Sequence, residues 1–265
     1  MTTVLYFYTG TGNSLWTVRK LSGELGGAEI VPMSMAGEGR LEIDADCVGL
    51  VFPVHIWGLP QRVVDFVERL SVEKDAYLFA VAVNAGQVAA TLLQLRRLLE
   101  ERNLRLASGF SLCMPNNYIP WGGAPPVPKQ EALFDKARGK IGRIASAVKE
   151  RTQQEPEKGP LWQNLLFSWF YRKSLTRVPA MDSSFRADEK CNGCRICARI
   201  CPADNIAIQN DRPGWRHRCE QCLACLQWCP QEAVQFGRST ARKRRYRHPE
   251  ISLSDMLACV PPRHP

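Results

Sequence analysis

The sequence predicts an α/β fold: a doubly wound parallel sheet of five strands, followed by a small α+β unit rich in cysteine. Three observations predict it. Residues 1–150 alternate short apolar runs with helical patterns, which is the signature of parallel strands covered on both faces. The first run leads straight into a glycine-rich turn and a helix. Eight of the 11 cysteines fall between Cys191 and Cys229.

The predicted strands are Val4–Tyr8, Ala28–Val31, Cys47–Phe52, Tyr77–Val83 and Phe110–Met114. Helices are expected at Ser14–Leu25, Gln61–Leu70, Gln87–Asn103 and Gln130–Glu150. Such a sheet binds its ligand beyond the carboxyl ends of its strands. Residues 115–128 are rich in Pro and Gly and predict a long loop. Residues 1–150 form the first unit. Residues 151–186 read as a polar linker over 151–160 followed by an aromatic helix from Leu161 to Tyr171, whose aromatic face is expected between the two units. Residues 187–237 form the cysteine unit, and 238–265 a basic tail.

No stretch reaches the ~18 consecutive apolar residues of a membrane span, and the N-terminus lacks the marks of a signal peptide. The reading is cytoplasmic, where clustered cysteines point to metal rather than disulfides. Cys47, Cys113 and Cys259 stand apart and read as small buried hydrophobes. The net charge is +9; residues 1–150 carry 16 basic and 15 acidic side chains, and the remainder 19 and 11. Two oxidised four-thiolate clusters would cancel roughly half of that excess, about two charges each. Nucleic acid is therefore not expected as a partner, and no aromatic platform accompanies the basic run.

Both halves of the cysteine unit read C-x₂-C-x₂-C-x₃-C-P. One constant offset in sequence carries Cys191, Cys194, Cys197, Cys201 and Pro202 onto Cys219, Cys222, Cys225, Cys229 and Pro230. Three cysteines at this spacing wrap one corner of a cubane, and the fourth is turned away to ligate the other cluster. The expected sets are Cys191, Cys194, Cys197 and Cys229 for one [4Fe–4S] cluster, and Cys219, Cys222, Cys225 and Cys201 for the second. Zinc, usually held by two CxxC pairs, fits this doubled pattern poorly. From 187 to 237 the segment resembles the bacterial two-cluster ferredoxins. The resemblance implies one-electron carriers at low potential with no open iron site.

The turn after the first strand is Thr9-Gly10-Thr11-Gly12-Asn13-Ser14. Its glycines let N–H groups converge, the helix N-terminus adds positive potential, and the hydroxyls can donate. It is a phosphate cradle without lysine. The ATP-type loop and the dinucleotide fingerprint are both absent. With this loop the whole first unit resembles flavodoxins. The resemblance implies that Thr9, Gly10, Thr11, Gly12, Asn13 and Ser14 hold the phosphate of FMN. It also implies that two loops meet the flavin ring: Pro53, Val54, His55, Ile56, Trp57 and Gly58, then Asn84, Ala85, Gly86 and Gln87. Trp57 either stacks on the ring or packs in a core, and His55 either faces the ring or satisfies a backbone group. The second loop lacks the acidic, aromatic-flanked character of flavodoxins.

The order of the two units resembles a family of flavodoxin–ferredoxin fusion proteins of anaerobes. Met114-Pro115-Asn116-Asn117-Tyr118 and Tyr246-Arg247-His248-Pro249 belong to the resemblance. It implies an electron carrier that relays low-potential electrons between redox partner proteins through two [4Fe–4S] clusters and FMN. Two alternatives stand beside it. One is a flavin-dependent reductase of a small molecule or of a partner-bound metallocofactor. The other is a two-cluster ferredoxin whose first half is a flavin-free docking scaffold. The basic run Arg238, Arg242, Lys243, Arg244, Arg245 and Arg247 is read as a solvated segment or as a docking surface for an acidic redox partner. The linker also permits exchange of the C-terminal segment within a homodimer.

Overall fold

In the computed structural model, residues 2–262 are described. Five parallel strands form the central sheet: β1 (Thr3–Phe7), β2 (Glu29–Pro32), β4 (Cys47–Pro53), β6 (Tyr77–Asn84) and β7 (Leu106–Cys113), in the spatial order β2-β1-β4-β6-β7. Numbered among themselves the strands run 2-1-3-4-5, the flavodoxin-like order, with its switch point between the first and third. β6 is buried at all eight positions, and β4 at all but its last. Their unbroken apolar runs are those of strands covered on both faces.

The helices α1 (Asn13–Glu24) and α4 (Val127–Lys149) cover one face through Leu15, Trp16, Leu21, Phe134 and Ile141. The opposite face receives α2 (Gln61–Arg69) and α3 (Thr91–Glu100) through Val63, Phe66, Leu92 and Leu95. A short parallel pair, β3 (Leu41–Ile43) with β5 (Leu70–Val72), lies outside the main sheet.

Two boundaries differ most from expectation. The helix predicted from Gln87 starts at Thr91, because Ala89 sits at φ 46° and breaks the helical path. β7 starts at Leu106, ahead of the predicted Phe110. The small Ala107, Ser108 and Gly109 hide a strand that the sheet nevertheless needs, and Ser108 is hydrogen-bonded to the Tyr77 hydroxyl at 2.7 Å.

After α5 (Leu161–Leu175), a 3-10 turn (Pro179–Ser184) leads into the cysteine unit. It contains β8 (Phe185–Ala187), α6 (Ile196–Arg199), β9 (Ile206–Gln209), β10 (Arg212–Trp215), α7 (Ala224–Gln227) and β11 (Val234–Phe236). β8 pairs antiparallel with β11, and β9 with β10. The sequence repeat is visible in the backbone. The one-turn helices α6 and α7 begin and end at equivalent positions of the two halves, and the left-handed residues Gly193, Arg195 and Asp204 recur as Gln221, Leu223 and Glu232.

This unit and the chain end share the core of the first half. Ile200, Ala224 and Trp228, with Ile251, Met256 and Cys259 around α8 (Leu253–Leu257), join the cluster built on α1 and α4. The basic run is tied down as well. Arg247 donates to the Gln227 carbonyl (2.6 Å), Arg245 to that of Val234 (2.9 Å), and Lys243 to that of Ile119 (2.8 Å). Arg238, Arg242 and Arg244 remain exposed.

Candidate metal centres and the phosphate loop

The eight clustered cysteines are free thiols that divide into two groups. Cys191, Cys194, Cys197 and Cys229 line one cavity. Burial, followed by the charges of Cys229, Cys194 and Cys191, pushes the Cys197 thiol up to about 12. In the second group, burial and then the nearby Cys201, with Cys219 further down, raise the Cys222 thiol. Cys225 is driven well up by burial and by Cys201, Cys222 and Cys219. Cys191, Cys194, Cys197 and Cys229 thus lie near one another, and Cys201 lies near Cys219, Cys222 and Cys225. The buried thiols of Cys197, Cys219, Cys222 and Cys225 stay protonated near pH 7, and metal binding would remove those protons.

Backbone N–H groups already point at the sulfurs. Asn205 donates to Cys201 Sγ (3.4 Å), Gln221 to Cys219 Sγ (3.3 Å), and Ala198 and Ala224 donate to Cys197 and Cys222. The left-handed residues before α6 and α7 aim these amides inward. Among the described residues, no group of three or more His, Cys, Asp or Glu side chains is disposed to hold a single metal ion.

Around the second set lies a polar frame that the sequence did not single out. Asp182 is buried and accepts from Asn205 Nδ2 (2.8 Å), the His217 amide (2.8 Å) and His217 Nδ1 (2.6 Å). Glu220 accepts from the Tyr8 hydroxyl and from Arg62, each at 2.7 Å. These partners lie from 23 to 212 residues apart in sequence, so no local pattern could have exposed them. The half-buried Arg62–Glu220 pair links α2 to the second ligand loop. Breaking one member would strand the other charge.

The glycine turn Thr9–Ser14, the expected phosphate loop, lies between β1 and the N-terminus of α1, with Gly12 at φ 99°. All six of its residues are buried. Its surroundings are protein. The Gly10 carbonyl accepts from the Trp228 indole (3.1 Å), and a methyl group on Gly10 would run into the Cys222 carbonyl oxygen. The Thr11 carbonyl accepts from the His248 amide (3.1 Å), and Thr11 Oγ1 from Asn117 (2.6 Å). Thr9 Oγ1 accepts from the Gly12 amide (3.2 Å). Asn13 is bound at both ends, donating to the Pro115 carbonyl (3.3 Å) and accepting from the Tyr246 hydroxyl (2.7 Å). A Cβ on Gly12 would stand 3.1 Å from His248 Cβ. Ser14 Oγ alone in the loop is a buried hydroxyl without a partner.

The two ring loops are engaged too. His55 and Gly58 exchange backbone hydrogen bonds (3.0 and 2.9 Å) around Ile56 and Trp57, both at positive φ, a tight hairpin turn. Pro53 closes β4, and the Val54 amide donates to Val83. Trp57 stacks on Phe167 of α5, with centroids 4.4 Å apart and planes 6° from parallel, and donates to Gln87 (2.8 Å). The Tyr171 ring covers Gly58. Desolvation lowers the His55 imidazole to about 4, so it is neutral near pH 7; its ring is hydrogen-bonded to the Glu220 backbone. In the other loop Asn84 accepts from the Gly86 amide (2.8 Å) in a local turn and donates to Ser111 (2.8 Å), while Ala85, Gly86 and Gln87 are exposed.

No protein-family model and no curated protein matches the chain. Solved structures match its first half at low similarity. A Streptococcus pneumoniae flavodoxin is 12% identical with a TM-score of 0.39, over 57% of this chain and 100% of that one. An FMN-dependent NADH-azoreductase of Bacillus anthracis is 9% identical with a TM-score of 0.39, over 56% and 99%. The rubredoxin oxygen:oxidoreductase of Desulfovibrio gigas is 13% identical with a TM-score of 0.35, over 57% of this chain and 36% of that one.

Proposed function

We propose that the chain is a one-electron carrier holding two [4Fe–4S] clusters. Cys191, Cys194, Cys197 and Cys229 hold one, and Cys219, Cys222, Cys225 and Cys201 the other. The observation that carries this reading is the crosswise gathering of the eight thiols into two groups of four, each reached by backbone amides. When bound, the clusters supply one-electron transfer at low potential. The chain's own part is to exclude water with Ile200, Leu223 and Leu226 and to donate amides to sulfur, both of which tune the potential.

A second reading adds FMN, and one observation favours it: the buried, unpartnered Ser14 hydroxyl at the N-terminus of α1. Protein packs against the rest of the cradle. Trp228, His248, Asn117 and Tyr246 each donate to an oxygen of the loop, so they occupy its acceptors, whereas a phosphate needs its donors; the Cys222 carbonyl stands against Gly10. Phe167 covers Trp57, and Tyr171 covers Gly58. In either reading Gly10 is a socket for the second ligand loop, and we derive no step through flavin. Acidic redox proteins docking on Arg238, Arg242 and Arg244 remain part of the proposal.

Anaerobic reductive titration tests it. Two clusters alone take up about two electrons per chain, one each. Uptake of about four, with bleaching of a flavin band, would restore the relay with FMN.

A further inference from the structure

Helix α5 is built inside out. Its outward residues are apolar: Leu161 is 76% exposed, Trp162 60%, Leu165 76% and Trp169 51%, with Leu166 and Phe170 beside them. Its inward side carries Gln163, Asn164, Ser168 and Ser174 together with Phe167 and Tyr171. The helix was expected to bury its aromatic face between the two halves of the chain. Only Phe167 and Tyr171 do this, against Trp57 and Gly58. Most of the large apolar side chains exposed among the described residues lie on this one helix. Contiguous exposed apolar surface of this kind marks a surface that something covers.

Charge identifies the cover. Residues 158–181 contain Lys158, Arg172, Lys173 and Arg177 and no acidic side chain. Arg172, Lys173 and Arg177 are exposed at the C-terminal end of the helix, and the Lys173 ammonium lies 3.9 Å from the Trp169 ring centroid. Leu and Trp beside Lys and Arg make the composition of a helix that lies in a lipid interface. At ~1.5 Å per residue, α5 is about 22 Å long, short of the ~30 Å hydrocarbon core. No helix among the described residues is long and apolar enough to cross a membrane. A second copy of the chain would bring like charges together with no acidic residue in either segment to answer them.

We propose that α5 seats the protein on the surface of an anionic bilayer. Leu161, Trp162, Leu165 and Trp169 enter the boundary between headgroups and acyl chains. Arg172, Lys173 and Arg177 meet the lipid phosphates. This inference is independent of which cofactors the chain carries.

The test is co-sedimentation of the full, cluster-loaded chain with vesicles of phosphatidylcholine alone and of phosphatidylcholine with one quarter phosphatidylglycerol. Each basic side chain near an anionic surface is worth about fivefold in partition. Binding to the anionic vesicles is expected to exceed binding to the neutral ones by at least ~10-fold. Leu165→Glu/Trp169→Glu should abolish binding to both. Arg172→Glu/Lys173→Glu should remove the preference for anionic lipid. Both pairs are exposed, so iron content should be unchanged. Absence of wild-type binding to anionic vesicles overturns the proposal. So does a wild-type dimer that Leu165→Glu/Trp169→Glu turns into a monomer while vesicle binding is nil, which would assign the face to a second copy.

Discussion

Replacing Cys201 by Ala is expected to halve the iron content, from about eight atoms per chain to about four, and to leave the first cluster intact. Cys201 follows Cys191, Cys194 and Cys197 in sequence, yet its thiol belongs to the group of Cys219, Cys222 and Cys225. Its neighbour Asn205 donates to its sulfur and is itself held by Asp182 at the edge of the second set. Low-temperature electron paramagnetic resonance of the reduced variant should lose the splitting that two interacting clusters produce and keep one uncoupled signal. Cys229→Ala should give the reciprocal result, sparing the second cluster. If Cys201→Ala instead disturbed ligation by Cys191, Cys194 and Cys197, the crosswise assignment would fail.

Gly10→Ala is the second large effect. An added methyl would meet the Cys222 backbone oxygen, which cannot swing away as a flexible side-chain end could. Either the phosphate loop or the second ligand loop must move. Overpacking of this kind costs about 1–3 kcal/mol, and it falls on the contact that also holds the Trp228 indole to the Gly10 carbonyl. A lower denaturation midpoint and a changed signal of the second cluster are expected together. Gly23→Ala is the control. It lies in the last turn of α1 with nothing within 4 Å of its added Cβ, and should be neutral or stabilising by up to ~1 kcal/mol. A Gly10→Ala protein with wild-type stability and an unchanged second cluster would refute the socket.

Much of this architecture was legible in the sequence because it is local. β4 and β6 are continuous apolar runs, and the glycine turn directly follows β1 and opens α1. The internal repeat needs only the cysteine spacing to be seen, and the backbone reproduces it down to the left-handed positions. The short pair β3 and β5 carries too few residues for a pattern, and the N-terminal half of β7 is built of small side chains. What fills the cradle was not legible, for a different reason. Trp228 lies 218 residues from Gly10, and Tyr246 lies 233 from Asn13. The motif Thr9–Ser14 specifies a loop shape in which amides converge at a helix start; it does not specify which distant side chains donate to the loop's own oxygens. Likewise, the aromatic content of Leu161–Tyr171 reveals a helix with apolar surface to bury. Only the placement of Gln163, Asn164 and Ser168 on the inner side shows that this surface points outward.

The most direct measurement is iron and flavin in one anaerobically purified sample, before and after incubation with excess FMN and removal of the unbound excess. Two cluster sets predict about eight iron atoms per chain in both states. About one FMN beside that iron would carry the second reading; about four iron atoms per chain would contradict the account, because one of the two sets would then be empty.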